Sequence, residues 1–217
     1  MCAGAVLALA LSGCAGAQHP LAAITAAPPR PAVVTIGDSI MKGHGLTAAE
    51  AWPALLGAKD GVSLNNLACD GAGFLSVGTD TDCTDTFAAL VDKTIKLAPR
   101  TVIIEGSSND FGEDDKALYQ VTVSEVKEIH RVLPNARIIG LSTVWNETTP
   151  PAQLASVNQQ VARAVKDAGG TYLNIGQPLA GHPEWMQKDD VHPTAAGQVA
   201  IFTAVKDALA DAKISLG

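Results

Sequence analysis

Four short blocks of the sequence hold residue types that, brought together, could carry out acyl transfer. The first is Gly37-Asp38-Ser39-Ile40, where a serine in a tight turn would lift its hydroxyl clear of the backbone, as a nucleophile requires. The second runs Asn66-Leu67-Ala68-Cys69-Asp70-Gly71-Ala72-Gly73, and a glycine there lets a backbone N–H face a ligand with no side chain between. The third, Gly106-Ser107-Ser108-Asn109-Asp110, offers an asparagine amide that can donate to a developing oxyanion. The fourth, Asp189-Asp190-Val191-His192-Pro193, sets a carboxylate three residues before a histidine, the pairing a general base needs. Singly, each block also reads as an ordinary turn, because Gly, Asp, Asn and Ser are common turn residues. Together they supply nucleophile, oxyanion donors and base.

Regular elements must hold these blocks in place. Apolar, β-branched runs at Ala32–Ile36, Val62–Leu67, Thr101–Ile104, Ala136–Leu141 and Thr171–Ile175 are short and continuous, as strands buried on both faces are. Between them apolar residues recur at helical spacing. Val126, Ile129 and Leu133 form one such row, Leu154, Val157, Val161 and Val165 a second, and Val199, Phe202, Val205 and Leu209 close the chain. The alternation predicts an α/β fold, a five-stranded parallel sheet covered by helices on both faces. Such sheets carry their functional groups at the carboxyl ends of the strands. The first three blocks each follow a predicted strand, and the fourth precedes the last helix.

In order and content the four blocks resemble those of the SGNH hydrolases, the GDSL esterase/lipase family, from Val33 to about Gly197. The resemblance implies a flavodoxin-like three-layer α/β/α fold and a serine hydrolase acting on carboxylic esters, with no cofactor and no metal. By it, Ser39 is the nucleophile, His192 the base and Asp189 the carboxylate that orients the imidazole. The N–H groups of Ser39 and Gly71 and the side chain of Asn109 form the oxyanion hole. Two positions depart from the family pattern. Ile40 replaces a leucine, and Ser107 stands two before Asn109 where the family usually has glycine, so its Cβ bears on how that loop aims Asn109. Pro193 biases His192 towards extended backbone, just outside a helix expected to begin near Thr194. His19, His44, His130 and His182 lack a comparable carboxylate setting. His130 reads as a surface residue, while the closeness of His44 to Ser39 leaves contact with substrate open.

The chain begins differently from the rest. Met1 to Gly13 carry no charge and include the apolar run Ala5–Leu11, far short of the roughly 20 residues that span a bilayer but suited to a secretory signal. Leu11-Ser12-Gly13-Cys14 resembles the bacterial lipobox, in which cleavage leaves a lipid-modified cysteine at the new terminus. The division expected is a signal over 1–13, an Ala/Pro-rich tether over 14–31 that anchors through Cys14, and the hydrolase domain over 32–217. A plain signal cleaved near Ala17 is the alternative, and the positive charge that usually opens a signal is missing. Export to the cell envelope makes a disulfide between Cys69 and Cys83 the default.

Composition narrows the partners. With 217 residues, 47% hydrophobic and 17% charged, the chain suits one folded domain and not a disordered one. Lys+Arg 15 against Asp+Glu 22 gives a net charge of −7 with no basic run, which disfavours nucleic acid. A monomer acting on a small-molecule or glycan ester is expected. Trp145, after the fourth strand, and Trp185, before Asp189, are candidates for substrate contact, with an ordinary core position as the other reading. No long apolar insertion suggests a lid, and aromatics are only 4% of residues, too few for a long sugar-binding platform. Short-chain esters and O-acetylated carbohydrates are therefore favoured over long-chain lipids. Two rivals share the same residues: an acyltransferase that passes the acyl group to a sugar hydroxyl, and a non-catalytic glycan-binding lipoprotein, against which the intact Ser39, Asp189 and His192 speak.

Overall fold

β1 (Val33–Ile36), β3 (Thr101–Glu105) and β4 (Arg137–Leu141) form the middle of a sheet, and of their residues only Arg137 at a strand start is exposed. The computed structural model describes residues 1–2, 32–79, 81 and 83–217, so the expected signal beyond its first two residues, Cys14 and the tether lie outside the described residues. β2 (Leu64–Asn66) and β5 (Thr171–Leu173) are the edges of a five-stranded sheet in the order β2-β1-β3-β4-β5. Every pairing is parallel, with Ile36 opposite Ile104 and Glu105 opposite Leu141.

Alternating side chains feed two cores. Val33, Ile103 and Ile139 pack with Trp52 and Leu56 of α2 (Trp52–Asp60) and with Ile201, Val205 and Leu209 of α6 (Ala195–Asp211). Ile36, Val102, Ile104 and Ile138 pack against the opposite layer. That layer is α3 (Phe87–Leu97), α4 (Asp115–Val132) and α5 (Ala152–Asp167). Burying each large aliphatic side chain contributes about 1.5–3 kcal/mol before chain entropy is counted. Among the described residues no helix is long and apolar enough to cross a membrane.

One helix face differs from its apolar spacing. The structure buries Gly197, Gln198, Ile201, Val205 and Leu209 of α6, while Val199 is exposed and Phe202 only half-buried. Gln198 holds the buried place because its amide is engaged at both ends: Oε1 accepts from the Trp52 backbone N–H at 2.9 Å and Nε2 donates to the Ile40 carbonyl at 2.8 Å.

The strand order reverses beside β1, with β2 on one side and β3 on the other. A crevice opens at such a reversal, above the carboxyl ends of the strands. The loops leaving β1, β2 and β3 carry the first three blocks to that crevice.

Candidate active site

Gly37 follows β1 at a tight spot: a Cβ there would lie 2.5 Å from the Glu105 carboxyl and 2.6 Å from the Met41 sulfur, so one of those buried side chains would have to shift. Asp38 then caps the short helix α1 (Ser39–Lys42), its Oδ1 accepting from the Ile40 N–H at 3.0 Å. Ser39 opens that helix and is all but buried. The second Asp38 oxygen accepts from the Ser107 hydroxyl at 2.7 Å. Burial pushes the Asp38 carboxyl above its ordinary range, and the bonds from Ser107 and Ile40 pull back against it. Ser107, the departure from the family's glycine, is thus a strut between the first and third blocks. Its oxygen also accepts from the Asn109 N–H at 3.1 Å, which fixes the turn Ser108–Asp110 that presents Asn109.

Asp189 and His192 share a loop closed on itself. The Gln187 N–H donates to the His192 carbonyl at 2.8 Å, and the Thr194 N–H to the Trp185 carbonyl at 2.7 Å, immediately before α6. Asp189 Oδ1 accepts the N–H groups of Val191 and His192 at 3.1 and 3.0 Å, leaving Oδ2 2.7 Å from His192 Nδ1. These bonds, those from His192 above all, hold the Asp189 carboxyl well below the usual carboxylate range. His192 Nε2 lies 2.9 Å from Ser39 Oγ. The nitrogen facing Ser39 is therefore the one that Asp189 leaves available.

Gly71 has φ +75°, and a Cβ on it would meet the Thr79 hydroxyl at 2.7 Å, two independent reasons for glycine. Asn109 Nδ2 donates one hydrogen to the Ala72 carbonyl at 3.0 Å and keeps a second. Asp110 ties the two loops together, its carboxylate accepting the N–H groups of Phe74, Leu75 and Ser76 at 2.9, 2.9 and 3.0 Å. Ser39, Gly71, Asn109 and His192 line one cleft of about 620 Å³. Among its described lining residues only Val191 carries a large apolar side chain.

The two tryptophans proposed for substrate contact do not line this cleft. Trp145 is half-buried against Phe111, with ring centroids 5.5 Å apart, and its indole N–H donates to Thr148. Trp185 stacks on His182 at 3.6 Å and packs against the core beside α6. Each ring has an aromatic partner outside the cleft lining. The residues that the motifs did not single out, His44 and Asp70, do line it. They are 26 residues apart, so sequence proximity gave no sign that His44 has a carboxylate partner.

Cys69 and Cys83 form a disulfide across the loop that carries Gly71. Closing a loop of this length contributes about 3 kcal/mol in the chain-entropy model. Gly71 follows Cys69 by two residues, so the bridge restrains the backbone of the glycine expected to donate to the oxyanion, and such a donor is useful when it is in place before reaction. Cys83→Ser is expected to lower kcat by about tenfold while changing KM less. Full kcat in the reduced protein would leave the bridge as a staple only.

A family model, that of the GDSL-like lipase/acylhydrolase family, matches residues 35–200. Among curated proteins, none matches the chain's sequence. Solved structures share the fold at low identity. The psychrotrophic esterase EstA from Pseudoalteromonas sp. superposes with a TM-score of 0.68 at 20% identity, over 84% of this chain and 98% of that one. A carbohydrate esterase family 2 enzyme from Corynascus thermopiles gives 0.64 at 22%, covering 87% of this chain and 68% of that one. The salicylyl-acyltransferase SsfX3, from a tetracycline biosynthetic pathway, gives 0.68 at 18%, over 86% and 56% of the two chains. With three-quarters of its length matched, the chain belongs to the GDSL-like lipase/acylhydrolase family, and with it to the carboxylic ester hydrolases.

Proposed function

We propose that this protein is an exported, envelope-anchored serine esterase that hydrolyses short-chain or carbohydrate O-acyl esters through an acyl-serine intermediate. The observation that carries the reading is the unbroken line of contacts from Asp189 through His192 to Ser39. Ser39 Oγ attacks the acyl carbon as His192 Nε2 takes its proton, and His192 then returns that proton to the departing alcohol. Water, activated by the same imidazole, releases the acid. Asp189 holds the proton of the neutral ring on Nδ1, so that Nε2 is the atom able to accept one, and it stabilises the imidazolium that forms. The N–H groups of Ser39 and Gly71 and the Asn109 amide receive the oxyanion.

The lining of the cleft favours small or hydroxylated substrates. An alkyl chain laid along it would strip water from Thr79, Ser76 and Asn109 without replacing their hydrogen bonds, which disfavours long acyl groups. Turnover of aryl and sugar esters of increasing acyl length tests this, and is expected to peak at acetyl to butyryl. A maximum at long chains would replace the substrate class. Product analysis with an added sugar separates hydrolysis from the acyl transfer named for SsfX3.

Envelope anchoring rests on the Leu11-Ser12-Gly13-Cys14 pattern, and the Cys69–Cys83 bridge fits an oxidising compartment. Mass spectrometry of the protein expressed with its own leader should find a mature terminus at Cys14 bearing acyl chains. An unmodified terminus beyond Cys14 would make the protein freely secreted.

A further inference from the structure

A second histidine–aspartate pair stands beside the first. His44 Nδ1 lies 2.5 Å from Asp70 Oδ2, and the same oxygen is 3.7 Å from the Lys42 ammonium. The backbone of His44 is pinned at both ends: its N–H donates to the Ser39 carbonyl at 3.0 Å, and its carbonyl accepts from the Gln187 amide at 2.7 Å. The ring stacks on that of His192, with centroids 4.2 Å apart and planes inclined by 28°. It nevertheless keeps 45% of its side chain exposed and lines the cleft with Ser39.

An exposed pair of this kind adds little to stability, because solvent screens it and two side chains must be ordered. Its position is more informative. His192 must protonate the departing alcohol oxygen, so that oxygen lies at the edge of the His192 ring. His44 is one stacking distance away, within reach of a group on the carbon next to the one that bears that oxygen. Asp70 occupies Nδ1, which leaves Nε2 as the ring atom available to a ligand. In the neutral ring Nε2 accepts a hydrogen bond, and in the imidazolium it donates one. A hydroxyl suits both states; a methylene suits neither.

We propose that His44, oriented by Asp70, is a specificity residue that hydrogen-bonds a hydroxyl on the carbon next to the one bearing the ester oxygen, so that the enzyme selects monoesters of vicinal polyols. The inference rests on the esterase reading above and names the alcohol side of its substrate. Thr79, on the same cleft, adds a second hydroxyl towards a polyol.

The test compares kcat/KM for two matched pairs of acetates. One pair is glycerol 1-monoacetate against propyl acetate; the other is a methyl hexopyranoside 3-O-acetate against tetrahydropyran-4-yl acetate, which lacks the neighbouring hydroxyls. Wild type should prefer the hydroxylated member by about tenfold, the scale of one net hydrogen bond. His44→Phe keeps a ring to stack on His192 and should bring that ratio close to one, whereas His44→Gln, which retains a polar tip, should keep part of it. The pair with the larger preference tells a glycerol ester from a sugar ester. A wild-type ratio of one in both pairs, or a ratio unchanged in a folded His44→Phe, overturns the assignment. Failure of the esterase reading looks different, because wild type would then turn over none of the four esters.

Discussion

Ser39→Ala should lower ester turnover on the order of 10⁶-fold in kcat, the scale seen when a serine hydrolase loses its nucleophile. The hydroxyl is the atom that would form the acyl bond, and it is 2.9 Å from the nitrogen that would take its proton. Little else depends on it. The helix that Ser39 opens is capped by Asp38, and the Ser39 N–H proposed for the oxyanion hole survives the substitution. Losing one hydroxyl bond at this nearly buried site should move Tm by no more than about 4 °C. A serine-directed phosphonate should add to Ser39 in the wild-type protein and leave the variant unlabelled, as read by intact mass and peptide mapping. Turnover at wild-type level in a folded Ser39→Ala protein, or a phosphonate adduct elsewhere, would remove Ser39 from the chemistry.

The parts of this molecule that could be read from sequence are those whose signal is local. β1, β3 and β4 announce themselves because strands buried on both faces must be continuously apolar, and all three lie within the apolar runs or one residue beyond. Asp189 and His192 fall in one loop, so their spacing alone brings carboxylate and ring together. What escaped the sequence is long-range or polar. Gln198 takes a core-facing position that hydropathy assigns to its neighbour Val199, and only its bonds to Trp52 and Ile40 explain why. Ser107 looks like a defect in its motif until its hydroxyl is found on Asp38, 69 residues earlier in the chain. Trp145 and Trp185 follow the rule that loops at the carboxyl ends of strands surround the site. That rule places loops and not side chains, and both rings turn to aromatic partners instead of the cleft. His44 and Asp70 meet only because two loops converge at the reversal in strand order.

Asp189→Asn should lower kcat by about 10²–10⁴-fold, equivalent to about 3–5 kcal/mol of transition-state stabilisation, while Asp190→Asn should change it less than about threefold. The reason lies in the two oxygens of Asp189. Oδ1 receives the N–H groups of Val191 and His192, and an asparagine oxygen can receive the same two, so the loop keeps its shape. The amide NH₂ would then occupy the place of Oδ2, 2.7 Å from His192 Nδ1. A donor there obliges Nδ1 to accept, and the ring proton moves to Nε2, where it faces Ser39 and cannot act as a base. The native carboxyl is held well below its ordinary range by its bonds to His192, so it stays ionised across the neutral range and never presents that donor itself. Its stabilising effect is present at neutral pH and is lost only in strong acid, as pH falls through the depressed value. Asp190 sits next in sequence but has φ +55° and is exposed, and its contact with the Asn146 amide, at 2.9 Å, runs through its backbone carbonyl. Asparagine tolerates that left-handed backbone as well as aspartate does, which makes Asp190→Asn a control for charge without a change of conformation. Steady-state kinetics on a short aryl ester, with melting curves for both variants, reads the contrast. A greater loss from Asp190→Asn would mean that the wrong carboxylate has been paired with His192.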